Sequence, residues 1–337
     1  MKLLRNKNIT FLLILILVSI NYAQIILNGN KIFEVNWGNT PETVKLGKFF
    51  EFETWGVRDF WVDNDDCFYI LDTMNKEVKK FNGKGSLQWH IPLPCHPLYI
   101  WKFNDSNFVV LCTTWKRYKL FIINNNGVII KNSVGIKLPY SKNGKFLSAR
   151  SIGGIAILRV YKNNIYLQSQ KDAVILDENL NIVGSIFIPD TVKLAFFMDN
   201  GLIYPIKYRN FQANPYIEIF SPKNFIENEY IELRLDKLSD GIEIRSEMNS
   251  LQRLLGFDTE GNFYIQRSFW EQRKSPLKLV LKFDRRGQEI SRKFIHSEVI
   301  HSVSYPIKVM PNGDIYTQNS NKEKYWIEKY PAGLFDN

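Results

Sequence analysis

The chain has 337 residues, 45% of them hydrophobic and 23% charged, with a formal net charge of +10. That composition excludes a disordered or collagen-like chain, and the length suits one large domain or two ordinary ones. Three cysteines in a chain of this length exclude a disulfide scaffold, and 19 Gly with 13 Pro imply no long flexible linker.

The first expected element is a targeting signal. Lys2, Arg5 and Lys7 precede the apolar run ITFLLILILVSI, and NYAQ follows, so residues 1–23 read as a signal peptide cut after Ala23. Asn21 departs from the small residue usual at the third position before such a cut. The run falls short of the ~20 residues a spanning helix needs, so no stable membrane span is expected after cleavage, and retention as an anchor is the minor alternative. No Cys follows the cut, which argues against a lipid anchor. The expected location is therefore secreted or periplasmic. Losing the three basic residues of the signal lowers the formal charge from +10 to +7. An exported protein of that sign is not expected to bind nucleic acid. It suits an anionic surface, a glycan or a carboxylate ligand, unless the charge serves solubility alone.

Residues 24–337 read as one domain built from a repeated unit. KLGKFFEFETW, 45–55, has strand character and precedes the first unit. That unit is VDNDDCFYILDTMNKEVKKFNGKG, 62–85: strand, polar turn, strand, break, then a second hairpin. The order returns as FNDSNFVV (103–110) with KLFIINNNGVII (119–130), VYKNNIY (160–166) with AVILDENLNIV (173–183), and FMDNGLIY (197–204) with YIEIFSPKNF (216–225). A short helix is possible near RSEMNSLQRLL. Then come FDTEGNFY (257–264) with LVLKFDRRGQEI (279–290), and VMPNGDIY (309–316) with YWIEKYPAG (325–333). Asp, Asn and Gly in the turns accept left-handed backbone angles, and Val, Ile, Phe, Tyr and Trp suit a packed pleated surface. Six such units, roughly 40 to 60 residues apart, predict an all-β, six-bladed β-propeller of four-stranded antiparallel blades. A β-sandwich is the second choice, but it gives no reason for the repeat. The last unit is short, and 45–55 is expected to supply its outer strand, so that an N-terminal strand closes the ring and removes the sheet edges.

The first unit resembles the NHL repeat of six-bladed propellers through Val62, Asp63, Tyr69, Asp72, Thr73, Asn75, Val78, Phe81 and Gly85. The other units keep the turn and strand skeleton but lose the Asp-Thr-x-Asn element. The resemblance implies the six-bladed architecture and little about activity, because that fold hosts scaffolds, binders, lyases and hydrolases.

Several candidate sites can be weighed against this frame. Asp63-Asn64-Asp65-Asp66 suggests a calcium loop, but an EF-type loop needs an oxygen at its fifth position, Gly at the sixth and Glu at the twelfth, where Cys67, Phe68 and Met74 stand. A hairpin turn explains the run better, since the sister units carry DTEGN, MPNGD and MDNG there. Cys95 and Cys112 either bridge, leaving Cys67 over, or remain buried thiols. His96 and His301 both precede inner strands, and some resembling lyases and lactonases carry a metal at the channel mouth. A third ligand is lacking, so no metal site and no cofactor are assigned. No G-x-S-x-G element or other catalytic nucleophile is recognised.

The remaining signal is positional. Inner strands are expected to start near Arg58, Tyr99, Ile155 or Ala156, Lys193, Arg253 and Tyr305, facing the channel mouth. Loops on that face, TTWKRY (113–118), KYRNFQ (207–212) and RSFWEQRKSP (267–276), bring Trp115, Arg117, Tyr208, Arg209, Arg267 and Trp270. Arginine forks take carboxylate or phosphate at two points, and Trp or Tyr stacks on sugars. Exposed loops carry such residues anyway. The expected function is non-catalytic binding of an anionic or carbohydrate-bearing ligand, or of a protein partner, at this basic-aromatic face. A metal-assisted lyase or hydrolase at the channel mouth is the alternative.

Overall fold

A computed structural model describes residues 27–49, 53–114, 118–133, 155–161, 163–169, 172–187, 194–197, 203–209, 216–220, 230–234, 251–268, 277–284, 288–303 and 306–336. The fold is an all-β propeller whose blades are four-stranded antiparallel sheets; six such sheets occur among the described residues, with one two-stranded ribbon. The signal-peptide reading, 1–23, lies outside the described residues.

In chain order the first sheet holds Val57–Val62, Phe68–Asp72, Glu77–Phe81 and Leu87–Pro92; the second holds His96–Asn104, Asn107–Thr113, Tyr118–Asn124 and Ile129–Asn132. The third holds Ile155–Tyr161, Asn164–Ser169, Asp172–Leu176 and Ile182–Phe187; the fourth holds Leu194–Phe197, Ile203–Arg209, Tyr216–Phe220 and Tyr230–Arg234. The fifth holds Leu251–Phe257, Phe263–Ser268, Leu277–Phe283 and Glu289–His296; the sixth holds Ile307–Val309, Ile315–Ser320 and Lys324–Tyr330. Within each sheet consecutive strands pair, and the first is the inner one. Inner strands of successive sheets pack together: Val57–Val62 on His96–Asn104, His96–Asn104 on Ile155–Tyr161, and Leu251–Phe257 on Ile307–Val309. The stretch 251–255, which the sequence suggested as helix, is strand. Its pairing with Phe263–Ser268 satisfies the backbone in a way that a short isolated helix would not.

The fourth strand of the sixth sheet is Asn30–Asn36, paired antiparallel with Lys324–Tyr330. This corrects the expectation for 45–55. Asn30–Asn36 alternates as an outer strand should, burying Phe33 and Val35. Phe33 stacks on Phe68 at 4.7 Å and meets Phe81 edge-on at 5.2 Å, both in the first sheet. Segment 45–55 instead forms the ribbon Gly47–Phe49 with Glu53–Trp55. Trp55 of that ribbon is fully buried.

The turns repeat one device. Asp63 Oδ1 accepts the amides of Asp65 (3.0 Å) and Cys67 (2.8 Å), and its Oδ2 accepts the Tyr69 hydroxyl at 3.0 Å. Asp258 does the same for Glu260, Asn262 and Tyr264. The Asp63 carboxylate is thus spent on its own turn, as the sister segments suggested, rather than on a cation.

Candidate functional site

Arg58 and Asp59 owe their burial to a bulge. Val57 pairs with Asp72 and Phe60 with Ile70, so two residues oppose Leu71 alone. A bulge re-aims its side chains, and here two consecutive charged residues both turn into the protein. Gly56 precedes them because a Cβ there would stand 3.1 Å from the rings of His301 and Trp37.

Arg58 is 4% exposed. Its Nη1 donates to Ser302 Oγ, and the Glu53 carboxylate lies 3.6 Å away, beyond hydrogen-bond distance. Its guanidinium sits 5.0 Å from the centre of the Trp55 ring. Its Nε has no hydrogen-bond partner among the described residues. Burial pulls the guanidinium's pKa below its usual value, against the opposing influence of Tyr99, Glu53 and Asp59.

The connection 297–306 brings Ser302 to this position. Glu298 N donates to Asn319 Oδ1 (2.8 Å) and Ile300 N to Ser320 Oγ (3.0 Å). The Ser302 amide reaches across to Thr54 O at 2.8 Å, bridging the sixth sheet's approach to the ribbon. Between them His301 is 6% exposed. Its Nε2 donates to Val57 O (2.8 Å), and its Nδ1 accepts from Ser320 Oγ (3.1 Å). Burial pushes its pKa down to about 4, so the ring is neutral at pH 7.

On the other side, Thr73 Oγ1 donates to Pro97 O at 2.7 Å, and His96 Nδ1 donates to Thr73 O at 2.9 Å. The His96 ring meets Trp55 edge-on at 5.9 Å. Asp72 accepts the Asn75 side chain (2.9 Å) and pairs with the fully buried Lys79 (2.8 Å). The Asp-Thr-x-Asn element therefore acts as a joint, tying the first sheet to the second and to the N-terminal segment.

Beneath Arg58 lies a closed floor. Asp59 Oδ1 pairs with Lys308 Nζ at 2.7 Å, and Asp59 Oδ2 accepts the Ile100 amide at 3.0 Å. Lys308 Nζ also donates to Phe60 O at 2.6 Å. The ammonium lies within 5.3 to 5.7 Å of the rings of Phe60, Trp61 and Trp101. One ion pair thereby links the inner strands of the sixth, first and second sheets.

Of the residues expected at the mouth, Arg58 and Tyr99 are near one another at the start of neighbouring inner strands, but both are buried rather than displayed on an open face. The bulge turns Arg58 inward, and Tyr99 packs into the core with Trp55 and Leu98. Arg253 lies in Leu251–Phe257, opposite Gln266, and Ile155 begins Ile155–Tyr161. Tyr208, Arg209 and Arg267 are strand residues rather than loop residues, because pairing continues to Arg209 with Tyr216 and to Arg267 with Leu279. Lys193, Tyr305, Trp115, Arg117 and Trp270 lie outside the described residues.

Sequence reasoning missed Glu53, Trp55, Asp59, Ser302 and Lys308. A signal existed for two of them: Asp59 in GVRDFWV and Lys308 in IKVM are charges within apolar strand runs, and such charges are rarely buried unless paired. The arrangement offers a buried cation with donor capacity to spare, which is chemistry for holding a carboxylate or phosphate. As for metals, both ring nitrogens of His301 are engaged by protein, and among the described residues no group of three or more His, Cys, Asp or Glu is placed to hold one.

No protein-family model matches the chain, and no curated protein matches it. Similar solved structures exist. A DUF4221-family protein of Bacteroides vulgatus aligns with 91% of this chain and 98% of its own, at 14% identity and TM-score 0.48. A protein of unknown function from Bacteroides caccae aligns with 71% of this chain and 82% of its own, at 14% identity and TM-score 0.48. Virginiamycin B lyase of Staphylococcus aureus aligns over 88% and 87%, at 12% identity and TM-score 0.47. Likeness at this level carries no activity across.

Proposed function

We propose that this protein is an exported, six-bladed propeller, akin to the NHL-repeat propellers, that recognises a carboxylate-bearing or otherwise anionic ligand without catalysis. The ligand is a glycan, a small acid or a protein side chain, taken at the channel mouth beside Arg58. The observation that carries this reading is Arg58 itself: a buried guanidinium whose one described hydrogen bond is to the neutral Ser302, with Nε unpaired and the Glu53 carboxylate at 3.6 Å. A buried donor left unsatisfied costs about 1–3 kcal/mol, more when charged, and a ligand that satisfies it recovers that cost. The rival metal-assisted lyase or hydrolase is weakened because His301, one of its two histidines, is occupied by Val57 and Ser320.

The test is a thermal-shift panel of acetate, succinate, glucuronate and inorganic phosphate on the purified chain and on Arg58→Lys and Arg58→Gln. At least one anion should raise the wild-type Tm. Arg58→Lys keeps charge but loses the fork, and should weaken that ligand at least tenfold, or about 1.4 kcal/mol. Arg58→Gln should abolish the shift. Equal shifts in all three proteins, or none in any, would sink the proposal.

A further inference from the structure

Cys95 and Cys112 lie side by side below the mouth. Cys95 closes the connection between the first and second sheets, one residue ahead of His96. Cys112 is on the neighbouring strand, paired with Pro97. Cys95 thus stands two residues ahead of the ladder partner of Cys112, at the bend that leads into the strand. Both are buried in one core cluster, close enough that each thiol perturbs the other's titration, and both are free thiols in this structure. Cys67 lies at the far end of the strands, in the Asp63–Cys67 turn, and cannot reach either.

We propose that Cys95 and Cys112 close into a disulfide when the chain folds in an oxidising compartment, leaving Cys67 as the only thiol. The co-reactant is a disulfide-bearing oxidant such as glutathione disulfide. The Cys95 thiolate attacks one sulfur of that oxidant, so a mixed disulfide forms, the oxidant's S–S bond breaks and one thiol leaves. Cys112, its proton passed to water, then attacks Cys95 Sγ and releases the second thiol. The protein loses two protons and two electrons, and the oxidant's two sulfurs gain them. Both thiols are buried in the folded protein. Burial keeps oxidant away from the finished core, so closure belongs to folding rather than to the native state.

The bridge would act on the mouth. It ties the strand that bears Cys112 to the bend just ahead of His96 and Pro97, which hold Thr73, and the His96 ring meets Trp55 edge-on. It also closes a short loop of chain, which removes freedom from the unfolded state.

The experiment uses the full chain, refolded from denaturant in mixed reduced and oxidised glutathione, alkylated in denaturant and weighed intact. The expected result is one alkylated cysteine, a peptide map linking Cys95 to Cys112, and a Tm about 5 °C above that of the reduced protein. Cys67→Ser should keep the link, and Cys112→Ser should lose it. Three alkylated cysteines after oxidative refolding, or a link that involves Cys67, would overturn the proposal.

Discussion

Asp66 is a non-glycine residue in the left-handed region, with φ 55°. Its counterparts in the sister turns are Gly261 (φ 82°) and Gly313 (φ 83°). The acidic run that resembles a calcium loop therefore differs from its sisters at a position where an aspartate is strained. Asp66→Gly should stabilise the protein by about 0.5–1 kcal/mol, because glycine adopts this angle without a Cβ clash. A urea melt reads this directly. A metal loop would instead lose a ligand, and the variant would then lose any calcium-dependent rise in Tm. The turns were legible in the sequence because their chemistry is local: Asp63 and Asp258 each cap a turn within four residues. The burial of Arg58 was not, because it follows from a bulge and from Ser302, which is 244 residues away.

At the scale of elements, the connection 297–306 is held to the sixth sheet by side chains, and His301 is its key contact with the first. The ring's folded pKa is about 4 against an ordinary 6.5, so between those values the unfolded chain binds the proton that the native state refuses. Stability from this residue is therefore full above pH 6.5 and is lost as pH falls toward 4, a difference on the order of 3 kcal/mol. Urea melts between pH 4 and 7 should show this slope, and it should flatten in His301→Asn. A slope unchanged in that variant would place the acid sensitivity elsewhere. The sequence set His96 and His301 together as inner-strand neighbours, and they do flank one region, on either side of Trp55 and Gly56. Their roles as hydrogen-bonding joints depend on Val57 and Thr73, partners far off in sequence, which no pattern around either histidine announces.

For the whole molecule, the pairing of Asp59 with Lys308 joins the last sheet to the first and reaches into the second. Burial pushes the Asp59 carboxyl up, and Lys308 pulls it back. Such pairs contribute little net stability but leave a costly orphan when halved. Lys308→Met should destabilise the protein by about 3–5 kcal/mol, and adding Asp59→Leu should recover most of it, as read by equilibrium urea unfolding. If the double variant stays as unstable as the single one, the pair has a role that apolar packing cannot replace. The ring architecture was legible from the six repeats. The identity of the closing strand was not, since 30–36 and 45–55 both read as strand and only the partner, Lys324–Tyr330, distinguishes them.

That closing strand also bears on how the protein is made. Asn30–Asn36 is synthesised roughly 300 residues ahead of its pairing partner, Lys324–Tyr330. Until then Asn30–Asn36, with Phe33 and Val35, lacks the strand that it pairs with. A nascent chain of this design carries an unpaired, adhesive strand until that partner emerges. Its vulnerable interval is the wait for Lys324–Tyr330, when a chaperone that masks residues 30–36 would protect it most.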